Sequence, residues 1–218
     1  MKIKEIPILK SKIFDLLQGF YSLGKISSLR TKVRQKKRIK EIYYELDNKK
    51  QISPFMASAM TNEVTAIFLP LISANKPALV LIEEPESELH PAYQILVGLA
   101  LLSLVREGYK FVISTHSDLF ASLLGDLLKY KPNKEKILEF LKGIVGENAI
   151  LNTIAEDVEN VISKKENSVR AYYFEGGKVK EVDASELNYN VPGITKEILD
   201  KVVEFEFELS MKGERRDD

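Results

Sequence analysis

Two short apolar runs, ALVLI at 78–82 and the start of KFVISTHS at 110–117, flank a long apolar stretch that opens at Pro91 and closes at Gly108. Continuous hydrophobicity over strand length, without polar alternation, marks a strand buried on both faces of a parallel sheet. The stretch between them, PAYQILVGLALLSLVREG, has the length of a helix, with proline in its first turn and glycine at its stop. Strand, helix, strand in this rhythm calls for a right-handed parallel crossover, with ligands bound beyond the carboxyl ends of the strands. The expected fold class is therefore α/β, parallel strands flanked by helices.

Both strand ends carry chemistry. The first run stops at Glu83 and Glu84, and the second leads into Thr115-His116-Ser117. Two carboxylates and a histidine placed this way can converge on one phosphate group although 84 and 116 are remote in sequence. Glu83 suits Mg²⁺, which prefers one or two carboxylates together with substrate phosphates. Glu84 is placed to orient or deprotonate an attacking water, and His116 to contact the departing phosphoryl group. The plainer alternative is a charged loop after one strand and a helix cap after the other.

The rest of the chain supplies context. Helical spacing is expected in the second half of IPILKSKIFDLLQGFY, and a short strand in EIYYEL followed by a turn at DNKK. Ser53-Pro54 opens a helical segment through FMASAMTNEVTAIFLPLISA that Pro70 kinks or ends. SDLFASLLGDLLKY reads as a helix capped by Ser117 or Asp118. NKEKILEFLKGIVG and AILNTIAEDVENVISKKE read as packing helices. Gly176-Gly177 between apolar strands marks a C-terminal hairpin, and GITKEILDKVVEFEFELSMKGERRDD a closing helix.

Composition removes several chemistries. There is no cysteine and there are only two histidines, which excludes disulfides, thiol catalysis and a histidine-rich metal site. No HExxH or GxSxG motif occurs. No apolar run reaches the length of a membrane span, and the N-terminus lacks a signal-peptide pattern, so the expectation is a soluble, cytoplasmic protein with no membrane partner. The zero net charge conceals an asymmetry. Residues 1–50 carry fourteen Lys/Arg against five Asp/Glu, and 25–40 alone holds eight cations and no acid. Such a run can neutralise nucleic-acid phosphates, although no aromatic residue within it is available to stack a base. The expected organisation is a basic N-terminal arm, 1–50, and a catalytic-type lobe, 51–218.

LVLIEEPESELHP resembles the Walker B and D-loop elements of ABC-type ATPases, in the AAA-like branch whose core is shared by the overcoming-lysogenization-defect and structural-maintenance-of-chromosomes proteins. FVISTHS resembles their switch-histidine strand. ASAMTNEV at 57–64 is similar to their signature turn, with Ser58 at the first serine, Glu63 at the acidic position and Ala59 replacing the second serine. VRAYYFEGGKVKEVD resembles the strands that follow the switch histidine. The resemblance spans about 42–208. It implies the C-terminal lobe of a P-loop NTPase that uses ATP and Mg²⁺. It also implies a dimer across the nucleotide, with Ser58 and His90, the latter in the subunit-facing loop, reaching nucleotide held mainly by an opposing subunit.

One required part is missing. The phosphate-cradling loop GxxxxGK[ST] has only a near miss in GFYSLGKIS, where Gly19, Gly24 and Lys25 are spaced correctly but Ile26 replaces the metal-binding hydroxyl. The chain is thus expected to hydrolyse ATP only when a Walker A-bearing lobe or partner chain completes the site. It could be a fragment, one partner of a split ATPase, or a degenerate module retained for binding. A second reading, from another class, is a non-catalytic nucleic-acid or protein-interaction module that uses 25–40.

Overall fold

The computed structural model describes residues 12–34, 39–164 and 169–187. They divide into two compact units: 12–116 with 131–164, and 117–130 with 169–187. The closing helix expected after 193, the residues before 12 and part of the basic run lie outside the described residues.

The first unit opens with α1 (Lys12–Leu23), whose Ile13, Leu16, Leu17 and Phe20 recur at helical spacing and are buried. Strands β1 (Ile26–Arg34) and β2 (Ile39–Leu46) pair antiparallel, and β3 (Gln51–Ile52) adds a short third strand beside β2. Most of the basic run is therefore strand, ladder-bonded to EIYYEL. Helix α2 (Ala59–Phe68) ends just before Pro70, where a single turn of 3₁₀ helix, Pro70–Ser73, takes over. Proline has no N–H to continue the ladder, so the helix stops where the sequence requires.

The centre of the unit is the pair β4 (Ala78–Glu83) and β5 (Tyr109–Ser114), joined by α3 (Pro91–Leu104) and a 3₁₀ turn, Val105–Glu107. The two strands are parallel, in register from Ala78 opposite Tyr109 to Glu83 opposite Ser114. Gly108, at φ +89°, supplies the left-handed turn that reverses the chain into β5. Helix α3 is apolar nearly all round and buries Ile95 through Leu101 and Leu104. Helices α5 (Lys134–Val145) and α6 (Leu151–Ser163) pack with it through Ile137 and Leu141, and through Leu151, Ile154, Val158 and Val161.

One expectation is corrected. Strands β4 and β5 are not buried on both faces: exposure alternates along each, and Leu79, Leu81 and Val112 are 64%, 73% and 55% exposed. Val80, Ile82, Phe111 and Ile113 on the opposite face are half-buried. The physical reason is that a parallel sheet needs cover on both sides, and among the described residues this one has two strands and cover on one side only.

The second unit contains α4 (Asp118–Tyr130), which the Ser117 hydroxyl caps by accepting from the Phe120 N–H at 3.2 Å. It also holds the hairpin of β6 (Ala171–Glu175) and β7 (Lys178–Val182), followed by a 3₁₀ turn, Ala184–Glu186. Gly176 and Gly177 both have positive φ, as a two-residue hairpin turn of the primed type demands.

A buried carboxylate ties three helical elements of the first unit together. Asp157 of α6 is paired through one oxygen with Lys12 of α1 and through the other with Arg106 after α3, the latter at 2.7 Å. Lys12 also donates to the Ser103 carbonyl at 3.0 Å. Removing the shared acid leaves an ammonium largely out of water without its counter-charge. Asp157→Ala is therefore expected to cost about 3 kcal/mol of stability, to be measured by urea unfolding; a loss below about 1 kcal/mol would place the pair among weak surface bridges.

Candidate functional site

Glu83 ends β4 opposite Ser114 and is exposed. Glu84 continues the parallel ladder by one hydrogen bond, donating its N–H to the Ser114 carbonyl at 2.9 Å. It does so at φ +44°, the left-handed region that side chains with a Cβ avoid. A tight turn holds it there: its carbonyl accepts from the Ser87 N–H at 2.9 Å and the Ser87 hydroxyl at 2.6 Å. From this position Oε1 of Glu84 lies 3.4 Å from Nε2 of His116. The structure thus brings together Glu84 and His116, 32 positions apart, by pairing the strands that precede them.

Glu86, which the sequence did not single out, bridges the same two loops. Its Oε1 accepts from the Thr115 hydroxyl and, at 2.9 Å, from the His116 N–H. The only hint in the sequence is a donor-rich Thr-His pair after a strand and an acid two residues past Glu84; that the two meet is a matter of register.

His90 stands at the far end of the acidic loop as the N-cap of α3, its Nδ1 accepting from the Ala92 N–H at 3.3 Å. The ring is exposed and meets Tyr93 edge-on. Ser58 is the N-cap of α2, accepting from the Thr61 N–H at 3.2 Å and sharing a 2.9 Å hydrogen bond with the Thr61 hydroxyl. Among the described residues no hydrogen bond or ion pair links Ser58 or His90 to the Glu84–His116 pair.

Helix α2 is fixed from behind by a polar knot. The buried Thr65 hydroxyl lies 2.8 Å from the Tyr21 hydroxyl, accepts from that of Tyr44 at 3.0 Å and donates to the Thr61 carbonyl at 2.6 Å. Burial pushes the Tyr21 phenol well above its ordinary value, so it stays neutral. Burial also raises the Glu63 carboxyl, and the charge of Glu88 raises it further.

The near-miss phosphate loop is not one. Gly19 lies inside α1, Gly24 and Lys25 form the turn after it, and β1 begins at Ile26. A phosphate loop runs from strand to helix, and this segment runs from helix to strand. Gly19 has a packing role, because a Cβ there would collide with the Ile150 side chain.

The donor set bears on Mg²⁺. Among the described residues no cluster of three or more metal-ligating side chains occurs. Two adjacent carboxylates at a strand end fit a cation that keeps its waters and shares substrate phosphates, rather than one held in a protein cage.

A parallel strand pair joined by a helix, with acids beyond one strand and a histidine beyond the next, suits a nucleotide-binding, ATPase-type module. Residues 12–122, just over half of the chain, match the family described as "AAA domain, putative AbiEii toxin, Type IV TA system", and the chain belongs to that family. AAA-like domains generally bind nucleotide with Mg²⁺. No curated protein and no solved structure matches the chain. No helix among the described residues is long and apolar enough to cross a membrane.

The strain at Glu84 gives a stability test independent of activity. At an ordinary position glycine is less stable than alanine by about 0.5–1 kcal/mol. Here a left-handed residue bearing a Cβ costs about 1–2 kcal/mol. Glu84→Gly should therefore be more stable than Glu84→Ala by up to about 1.5 kcal/mol in denaturant unfolding, and the opposite order would mean that the left-handed conformation is not held.

Proposed function

We propose that this chain is the C-terminal lobe of an ABC-type, AAA-like ATPase, hydrolysing ATP with Mg²⁺ only when a Walker A-bearing lobe or chain completes its site. The observation that carries this reading is the meeting of Glu84 and His116 at the carboxyl ends of adjacent parallel strands. Glu83 would hold Mg²⁺, whose charge stabilises the phosphoryl oxygens. Glu84 orients and deprotonates the attacking water, and His116 contacts the departing phosphoryl group. Ser58, at the N-terminus of α2, offers its hydroxyl and the helix's free N–H groups to nucleotide on an opposing subunit. His90 faces that subunit from the acidic loop.

The need for a partner lobe rests on two facts of the fold. No described segment runs strand, phosphate loop, helix, and β4–β5 leaves Leu79, Leu81 and Val112 uncovered on one face. Alone, the chain should show negligible ATP turnover. Co-assembled with a lobe bearing GxxxxGK[ST], it should turn over ATP in a Mg²⁺-dependent way, and Glu84→Gln should reduce kcat by about 10²–10⁴-fold. Full activity of the Glu84→Gln assembly would remove Glu84 from the chemistry.

A second reading, a non-catalytic nucleic-acid-binding module, is favoured by one observation: the basic run lies largely in the β1–β2 ribbon, an element that can track phosphates. If it holds, neutralising the cations of 25–40 abolishes a DNA affinity that falls steeply with salt. Binding that survives neutralisation excludes this role.

A further inference from the structure

We infer that Glu86 is a positioning residue for the reaction proposed above: it latches the loop after β4 to the loop after β5 and so fixes the distance between Glu84 and His116. The inference rests on that reading of the site but makes a separate structural claim. A single oxygen of Glu86, Oε1, accepts both from the Thr115 hydroxyl and from the His116 N–H. The second bond pins the backbone of the same residue whose imidazole faces Glu84. The Glu86 carbonyl accepts from the Leu89 N–H at 3.1 Å, and the Glu84 carbonyl from Ser87, so the loop carrying Glu86 is itself turned tightly.

The latch is needed because the parallel ladder stops one residue too early. The last ladder-type bond joins Glu84 N–H to the Ser114 carbonyl, and residues 115 and 116 lie beyond it. The His116 side chain is 85% exposed, so packing does little to hold it. A carboxylate accepting two hydrogen bonds from these two residues supplies the missing constraint. At 3.4 Å the Glu84–His116 approach is close enough to work and loose enough to be lost by a small loop shift, and misplacement by about 1 Å costs about 100-fold in rate.

The test has two arms. In the first, the chain alone is followed by NMR at fixed pH, reading the shift of the His116 imidazole resonances on Glu84→Gln. With Glu86 intact that shift is clear; in a Glu86→Ala background it falls several-fold; in Glu86→Gln, whose amide oxygen still accepts both bonds, it is retained. Thr115→Val, which removes one of the two bonds, gives an intermediate shift and stands in if Glu86→Ala does not fold. In the second arm, the assembly with a Walker A lobe should lose about 10- to 100-fold in kcat on Glu86→Ala, with KM for ATP held within about twofold and activity kept by Glu86→Gln. An undiminished imidazole response in Glu86→Ala, or in Thr115→Val where that is the folded variant, overturns the latch whatever the ATPase result. A diminished response in the chain alone, together with an assembly that shows no turnover, supports the latch and overturns the proposed activity instead.

Discussion

The candidate site depends on the parallel register of β4 and β5. Pairing Glu83 with Ser114 sets the two strands level at their carboxyl ends, so that the residues leaving them, Glu84 and His116, emerge side by side. A slip of either strand by one residue would turn that strand's side chains to the opposite face and separate the two groups. Two features guard against it: Gly108, which fixes where β5 can begin, and the Tyr109 hydroxyl, which donates to the Leu71 carbonyl at 2.9 Å from inside the core. The placement of Glu84 and His116 at one end of the sheet is thus set by a turn and a tyrosine at the other.

The same strands show where sequence and described structure part. ALVLI and FVI are apolar on both faces, which is the signature of a strand covered twice. The described residues cover one side. Exposed Leu and Val at alternate positions of two neighbouring strands form a continuous apolar strip, and such strips mark surfaces made for contact. If a second lobe joins this chain as proposed, that strip is the surface on which it would rest.

Much of the fold was legible because its signals are local. Pro91 and Gly108 delimit α3 and its turn, Pro70 ends α2, Gly176-Gly177 turns the hairpin, and α5 and α6 follow their apolar spacing. The basic run was harder. Its cations carry no strand signal of their own, and the strand that holds most of it follows from ladder pairing with EIYYEL. At the candidate site, the positions of Glu83, Glu84 and His116 at the strand ends could be read from the sequence. Glu86 could not, because its role arises from two hydrogen bonds across some thirty residues, and no spacing rule encodes them.

What the fold builds at this site is geometry more than electrostatics. Glu84 is held by backbone hydrogen bonds in a conformation it would not choose, and Glu86 holds the opposing loop, so the positions are settled before any nucleotide arrives. Yet the side chains of Glu84 and His116 are 43% and 85% exposed, and between exposed groups water screens most of the attraction. Such a contact gains strength only when another surface excludes the water around it, since polar groups at a given distance interact several-fold more strongly in a less polar medium. A covering lobe would therefore do more than deliver phosphates. If the proposed reading holds, drying this prearranged pair of groups is what a second lobe would add to the site besides the phosphate loop.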